Sequence, residues 1–171
     1  NFNYNHIQDG DAIVVFSKKG VLEIAERYSK IGIKTSIIYG DLPPEVRKIQ
    51  YKQFTNKETK VLVTTDAIGM GVNLPIRRIV FMSIKKFDGE EIRELTSQEV
   101  KQVSGRAGRR GIYDVGYVAS AGDTQDFIKS RLEVKDEEIK KAVIGPSDVI
   151  VKIKGLPLID KLVLWSTREE K

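Results

Sequence analysis

Apolar positions along the chain follow two alternating patterns. Short β-branched runs at residues 12–17 (AIVVFS), 35–39 (TSIIY), 60–64 (KVLVT), 79–83 (IVFMS) and 116–120 (GYVAS) are separated by segments of helical period. That alternation predicts an α/β domain on a parallel sheet. The first four runs are almost continuously apolar, as strands covered on both faces are. Between the first two, Val21, Leu22, Ile24, Ala25, Tyr28 and Ile31 share one helical face, and Gly32 is a natural stop. A second helix is expected over 44–54, opened by prolines and burying Val46, Ile49 and Phe54. A third is expected over 97–105. Beyond Gly122 the strand signal fades, and helices are expected over 124–132, 135–143 and 158–166, broken by Gly145-Pro146 and Gly155-Leu156-Pro157. Tyr28, Phe54, Met70 and Met82 read as core, and the Leu162, Leu164 and Trp165 face as packing. The domains expected are a lobe at 1–121 and a helical C-terminal extension at 122–171.

One hairpin is written into this pattern. Residues 84–95 (IKKFDGEEIREL) carry an Asp88-Gly89 turn signal. A two-residue turn there sets Phe87 opposite Glu90 and Lys86 opposite Glu91, pairing unlike charges across the strands.

Composition narrows the chemistry. With 171 residues and 40% hydrophobic content, the chain can bury one ordinary core. It has no cysteine and a single histidine, His6, so a disulfide framework and a zinc site are excluded, and no metal ligands are assigned. No apolar run approaches the roughly 20 residues of a membrane span, and the N-terminal residues do not read as a secretion signal. A soluble protein of a reducing compartment is expected, cytoplasmic or in the mitochondrial matrix. Lys plus Arg is 29 against 24 Asp plus Glu, a net charge of +5. This balance favours a phosphate-bearing partner; simple solubility is the competing explanation.

Two segments carry candidate chemistry. Residues 102–111 (QVSGRAGRRG) set Arg106 and Arg109 three apart, next to glycines that let backbone approach a ligand. Guanidinium forks bind phosphate oxygens and stay charged, which suits a site where charge builds on a transferring phosphoryl group. A solvated cluster of Arg106, Arg109 and Arg110 is the competing reading. Residues 64–75 (TTDAIGMGVNLP) follow a strand directly, so their polar groups lie outside the carboxyl end of the sheet, where open α/β folds bind ligands. Thr64 and Thr65 suit phosphate oxygens, and Asn73 suits a sugar hydroxyl. The alternative is an ordinary loop with Asp66 as a helix cap.

Together, in this order and after a strand ending in FSKK, these segments resemble motifs IV, V and VI of superfamily-two helicases. The pattern QxxGRxGR is matched at Gln102, Gly105, Arg106, Gly108 and Arg109. TDAIGMGVNLP with QVSGRAGR is most similar to the mitochondrial-degradosome and Ski-type RNA helicases. The resemblance spans residues 11–120. It implies a RecA-like parallel sheet flanked by helices, the second lobe of an ATP-dependent helicase, with RNA rather than DNA as substrate. By the same resemblance, Arg109 and Arg106 reach the γ-phosphate of ATP, Gln102 helps to position the nucleotide or its attacking water, Asn73 meets the ribose, and Gly71 permits close approach. Ser17, Lys18, Thr64 and Thr65 grip the phosphate backbone of one strand.

ATP and Mg²⁺ would be held mainly by a first lobe, since no GxxxxGK[ST] loop and no DExH box occur here. The chain is therefore expected to be a piece of a longer helicase, inactive alone. The partners implied are single-stranded nucleic acid, the first lobe of the same polypeptide and an exoribonuclease. The hairpin's place between the two segments matches the strand-separating hairpin of Ski-type helicases; a simple bridge between elements is the alternative. Two competing functions are a DNA-helicase lobe and a non-catalytic nucleic-acid-binding module.

Overall fold

A computed structural model describes residues 4–68, 72–108 and 111–135. They belong to the first of two units into which the chain divides, Asn1–Lys135. The helices expected over 135–143 (all but its first residue) and 158–166, with Trp165, lie outside the described residues, as does Met70.

Five parallel strands form the sheet. β1 (Asp11–Val14), β2 (Thr35–Ile38), β3 (Val61–Thr64), β4 (Arg78–Phe81) and β7 (Tyr117–Ser120) stand in the order β2-β3-β1-β4-β7. In register, Val14 of the central strand lies beside Thr64 on one side and Phe81 on the other. Successive residues of β1 feed different cores, as strand geometry requires. Ala12 and Val14 pack on one face with Leu62, Ile79, Phe81, Val100 and Val103. On the other face, Ile13 packs with Val61, Val63, Val80, Val21 and Tyr28.

Helix α1 (Lys18–Lys30) starts where the Ser17 hydroxyl accepts a hydrogen bond from Gly20 N at 3.0 Å. It stops at Gly32, whose φ of 78° suits glycine. Val21, Ile24 and Tyr28 are buried, but Leu22 and Ile31 of the expected face are exposed.

Helix α2 (Pro44–Thr55) departs further from expectation. Phe54 is buried as expected, whereas Val46 and Ile49 are exposed, and Tyr51 takes the inward place. The cause is polar. β2 is an edge strand, and its Ile37 N–H donates to Gln50 Oε1 at 2.8 Å, while Ser36 Oγ donates to the Gln50 carbonyl. Satisfying that edge turns the face of Arg47, Gln50, Tyr51 and Phe54 toward the sheet.

The hairpin joins β5 (Lys85–Phe87) to β6 (Ile92–Glu94), but with a different turn. Phe87 faces Ile92 and Lys86 faces Arg93, so four residues form the loop and the expected Lys86–Glu91 pairing does not occur. Asp88 Oδ1 accepts from both Glu90 N and Glu91 N at 3.0 Å, drawing two further residues into the turn.

Helix α3 (Ser97–Ser104) opens on a capping box: Glu99 N donates to Thr96 Oγ1, and Thr96 N donates to Glu99 Oε2. Helix α4 (Gln125–Glu133) lies on α3, where Ser97 Oγ donates to the Arg131 carbonyl. Its Ile128 is part of the same core as Val100 and Val103.

Candidate nucleotide and nucleic-acid site

The loops that follow β1, β2 and β3 leave one edge of the sheet, so the sequence-predicted polar residues converge there. Ser17 and Lys18 are exposed at the start of α1. The Lys18 ammonium lies 3.0 Å from Asp41 Oδ2 and 4.9 Å from the centroid of the Tyr39 ring. The hydrogen bond to Asp41 holds Lys18 more firmly protonated than an isolated lysine. Thr65 Oγ1 accepts from Ala67 N at 3.2 Å, fixing the turn after β3. Thr64 is fully buried, and its hydroxyl donates to the Thr65 carbonyl at 3.0 Å.

The second group of predicted residues surrounds a cavity of about 340 Å³ lined by Ile68, Val72, Asn73, Gly105, Arg106 and Gly108. Asn73 and Arg106 are both exposed to it from opposite segments. A backbone hydrogen bond joins those segments: Gly108 N donates to the Ile76 carbonyl at 2.7 Å. Gly108 has a φ of 85°, and the backbone of Gly116 runs against it. A Cβ at Gly116 would lie 2.5 Å from the Ala107 carbonyl carbon and 2.8 Å from Gly108 N.

Gly116→Ala must therefore shift either the arginine turn or the start of β7. In a full-length protein carrying this lobe, it is expected to lower kcat for ATP hydrolysis by roughly 10²-fold, the cost of about 1 Å of misplacement. Gly40→Ala is the control, because a Cβ there meets nothing within 4 Å. Steady-state kinetics in which the two variants match contradict this role for the close approach.

Gln102 and Arg106 also line a smaller cavity of about 160 Å³ with Asp66, Ile68, Lys86 and Glu99. Gly71, Arg109 and Arg110 lie outside the described residues; Arg109 directly follows Gly108 in the chain.

Sequence reasoning missed a chain of charges beside this cavity. Lys86 Nζ lies 2.8 Å from Asp66 Oδ2 and 3.1 Å from Glu99 Oε1. Asp66, on the loop after β3, is thus partnered by Lys86 of the hairpin. Arg93 grips Glu99 with both terminal nitrogens, at 2.9 and 3.0 Å, and reaches Asp88 through Nε at 3.1 Å. The Arg93 fork, with the Thr96 amide and Lys86, pulls the Glu99 carboxyl down to about 2 against the opposing effect of burial. Asp66 raises the Lys86 ammonium in turn. One part was legible: Thr96 and Glu99 stand three apart in TSQE, the spacing of a capping box.

Among the described residues, no cluster of His, Asp or Glu could hold a metal ion, and no helix is long and apolar enough to cross a membrane.

Known proteins resemble this chain in sequence and in fold. The model of the helicase conserved C-terminal domain matches residues 2–111. The mitochondrial ATP-dependent RNA helicase SUV3 of Saccharomyces cerevisiae is 40% identical over 152 residues, covering 84% of this chain and 21% of its own length. The mitochondrial SUV3 homolog of Caenorhabditis elegans is 38% identical over 149 residues, covering 85% and 20%. This chain therefore spans about a fifth of the length of these relatives. The solved C-terminal domain of the DEAD-box protein Dbp5 superposes with a TM-score of 0.58 at 21% identity, covering 74% of this chain and 72% of that one, which is a likeness of fold. The sheet order, the paired loops and the extent of the family match lead to one assignment: the chain belongs to the helicase conserved C-terminal domain family, as a RecA-like second lobe of the superfamily-two DExH type.

Proposed function

We propose that this chain is the second motor lobe of an ATP-dependent RNA helicase, closing on a nucleotide and a single strand that it shares with a first lobe. The observation that carries this reading is the cavity bounded by Asn73 on one segment and Arg106 and Gly108 on the other, held by the Gly108–Ile76 bond. An amide facing a guanidinium across such a space suits the ribose and phosphate ends of a nucleotide. Bound ATP would supply the phosphoanhydride whose cleavage changes the lobe-closure equilibrium.

Arg109, with Arg106 beside it, would neutralise charge growing on the γ-phosphate, and Gln102 would orient the nucleotide or the attacking water. Gly71 would let the backbone come close. Ser17, Lys18 and Thr65 would hold phosphates of the strand; the buried Thr64 hydroxyl would brace the Thr65 turn from within. Phosphate contacts ignore base edges, so binding would be largely independent of sequence. Mg²⁺ and most of the nucleotide would be held by the first lobe. The similarity to helicases named as mitochondrial supports a place in the mitochondrial matrix, where an exoribonuclease would be a fitting partner.

The isolated chain tests the division of labour. It is expected to show no ATP turnover, because nothing in its sequence matches a phosphate loop or a Mg²⁺-binding DExH box. A colorimetric phosphate assay on the purified chain checks this. Turnover that disappears in Arg109→Ala would contradict the single-lobe reading.

A further inference from the structure

Asp66 belongs to the loop that carries Thr65, and Glu99 to the helix that carries Gln102 and leads to Arg106. Both carboxylates meet one ammonium, that of Lys86, at 2.8 and 3.1 Å. Lys86 stands on neither segment: it projects from β5 of the hairpin, and its side chain is only 19% exposed. Glu99, Gln102 and Arg106 follow one another at helical spacing and line the same small cavity as Asp66 and Lys86. Without the ammonium, the attraction that joins loop to helix is lost, and Asp66 faces a Glu99 whose charge is balanced by the Arg93 fork alone. The Arg93 fork, by contrast, ties Glu99 to the hairpin's own Asp88, and among the described residues it forms no ion pair with Asp66.

We propose that Lys86 is a positioning residue that bridges the strand-contact loop at Asp66 to helix α3 at Glu99, the helix that leads into the Arg106 turn, and so couples strand binding to nucleotide binding. The proposal rests on the motor reading above. Its physical content is a coupling free energy: a strand held at Thr65 fixes the Asp66 loop, Lys86 transmits that position to Glu99, and the helix presents Gln102 and Arg106 accordingly. Linkage makes the effect reciprocal, so a nucleotide held by the arginines tightens the strand by the same factor.

The test uses the full-length protein and a fluorescein-labelled single-stranded RNA, with affinity measured by anisotropy with and without a non-hydrolysable ATP analogue. In the wild type, the analogue is expected to tighten RNA binding about 10-fold. Lys86→Met, which keeps the apolar stem and removes the charge, is expected to bring that ratio to within about twofold of one. Lys86→Arg, which restores a cation between the carboxylates, is expected to recover most of it. Arg93→Met is expected to loosen the hairpin while leaving the ratio near the wild-type value.

A wild-type ratio in Lys86→Met overturns the proposal. So does an equal loss in Arg93→Met, because anchoring of the hairpin would then carry the effect. A wild-type protein in which nucleotide leaves RNA affinity unchanged defeats the motor reading itself, a failure visible before any variant is compared.

Discussion

Arg109→Ala in a full-length protein carrying this lobe is expected to lower kcat for ATP hydrolysis by roughly 10³- to 10⁵-fold, the range found for arginine fingers in nucleotide hydrolases. KM for ATP should change far less. A guanidinium that meets the γ-phosphate only when two lobes close contributes mainly in the transition state, and such a contribution appears in kcat. Arg109→Lys is expected to be nearly as damaging, because an ammonium is a point charge and cannot reproduce the planar fork. Arg106 lines the same cavity as Asn73, so it can buffer part of the loss and bring the effect toward the lower end. Arg110, one position off the QxxGRxGR pattern, should tolerate alanine with little change. Steady-state kinetics of the three single variants check the register; Arg110→Ala as the most damaging would favour a surface cluster.

The second large effect concerns stability at the opposite end of the sheet. Asp11→Ala is expected to destabilise the isolated chain by about 3 kcal/mol. Asp11 is fully buried, and its carboxylate accepts from Arg78 Nε at 3.0 Å, Arg78 Nη2 at 2.6 Å, Arg77 Nη2 at 3.3 Å and Gln8 N at 2.8 Å. Alanine removes the carboxylate that two guanidinium groups share, while Arg78 keeps its bond to the His6 carbonyl; the arginines keep 19% and 24% of their side-chain surface exposed, so solvent recovers part of the loss. For a chain of this size the thermal midpoint should fall by roughly 6–12 °C. A shift below about 2 °C in a circular-dichroism melt would show that the cluster contributes little.

The contrast between these two residues indicates what the sequence could convey. The role proposed for Arg109 rests on a local pattern, glycines and arginines at fixed spacing, which a sequence displays directly. Asp11 escaped notice because its arginine partners lie 66 and 67 positions away, and no spacing rule joins them. The sheet follows the same logic. Ile13 and Val80, buried on a face covered by α1, announced central strands; the expected end of β1 overshot, since Val15 N still donates to the Thr64 carbonyl at 3.0 Å but the chain then turns through Phe16 into the loop.

Helix α2 misled through its apolar stripe. Val46 and Ile49 have the right spacing for a buried face, yet an edge-strand N–H at Ile37 needed Gln50, and satisfying a backbone donor outweighed covering two aliphatic side chains. The hairpin was found, but its register depended on whether the Asp88 side chain would claim the turn amides. That competition leaves no mark in a two-residue turn signal. The cavity between Asn73 and Arg106 could be anticipated from resemblance alone. The Lys86 bridge could not, because Asp66, Lys86 and Glu99 come from three separate elements and meet only in the folded chain.

The central claim, that this lobe serves an RNA-driven motor, is tested most directly by the ATPase rate of the full-length protein with saturating single-stranded homopolymers. Clear stimulation by RNA is expected, with different base compositions giving rates within about threefold of one another, since the proposed contacts at Ser17, Lys18 and Thr65 read phosphates. Stimulation by single-stranded DNA with none by RNA would assign the lobe to a DNA motor. An ATPase indifferent to every strand, or no ATPase at all, would contradict the account.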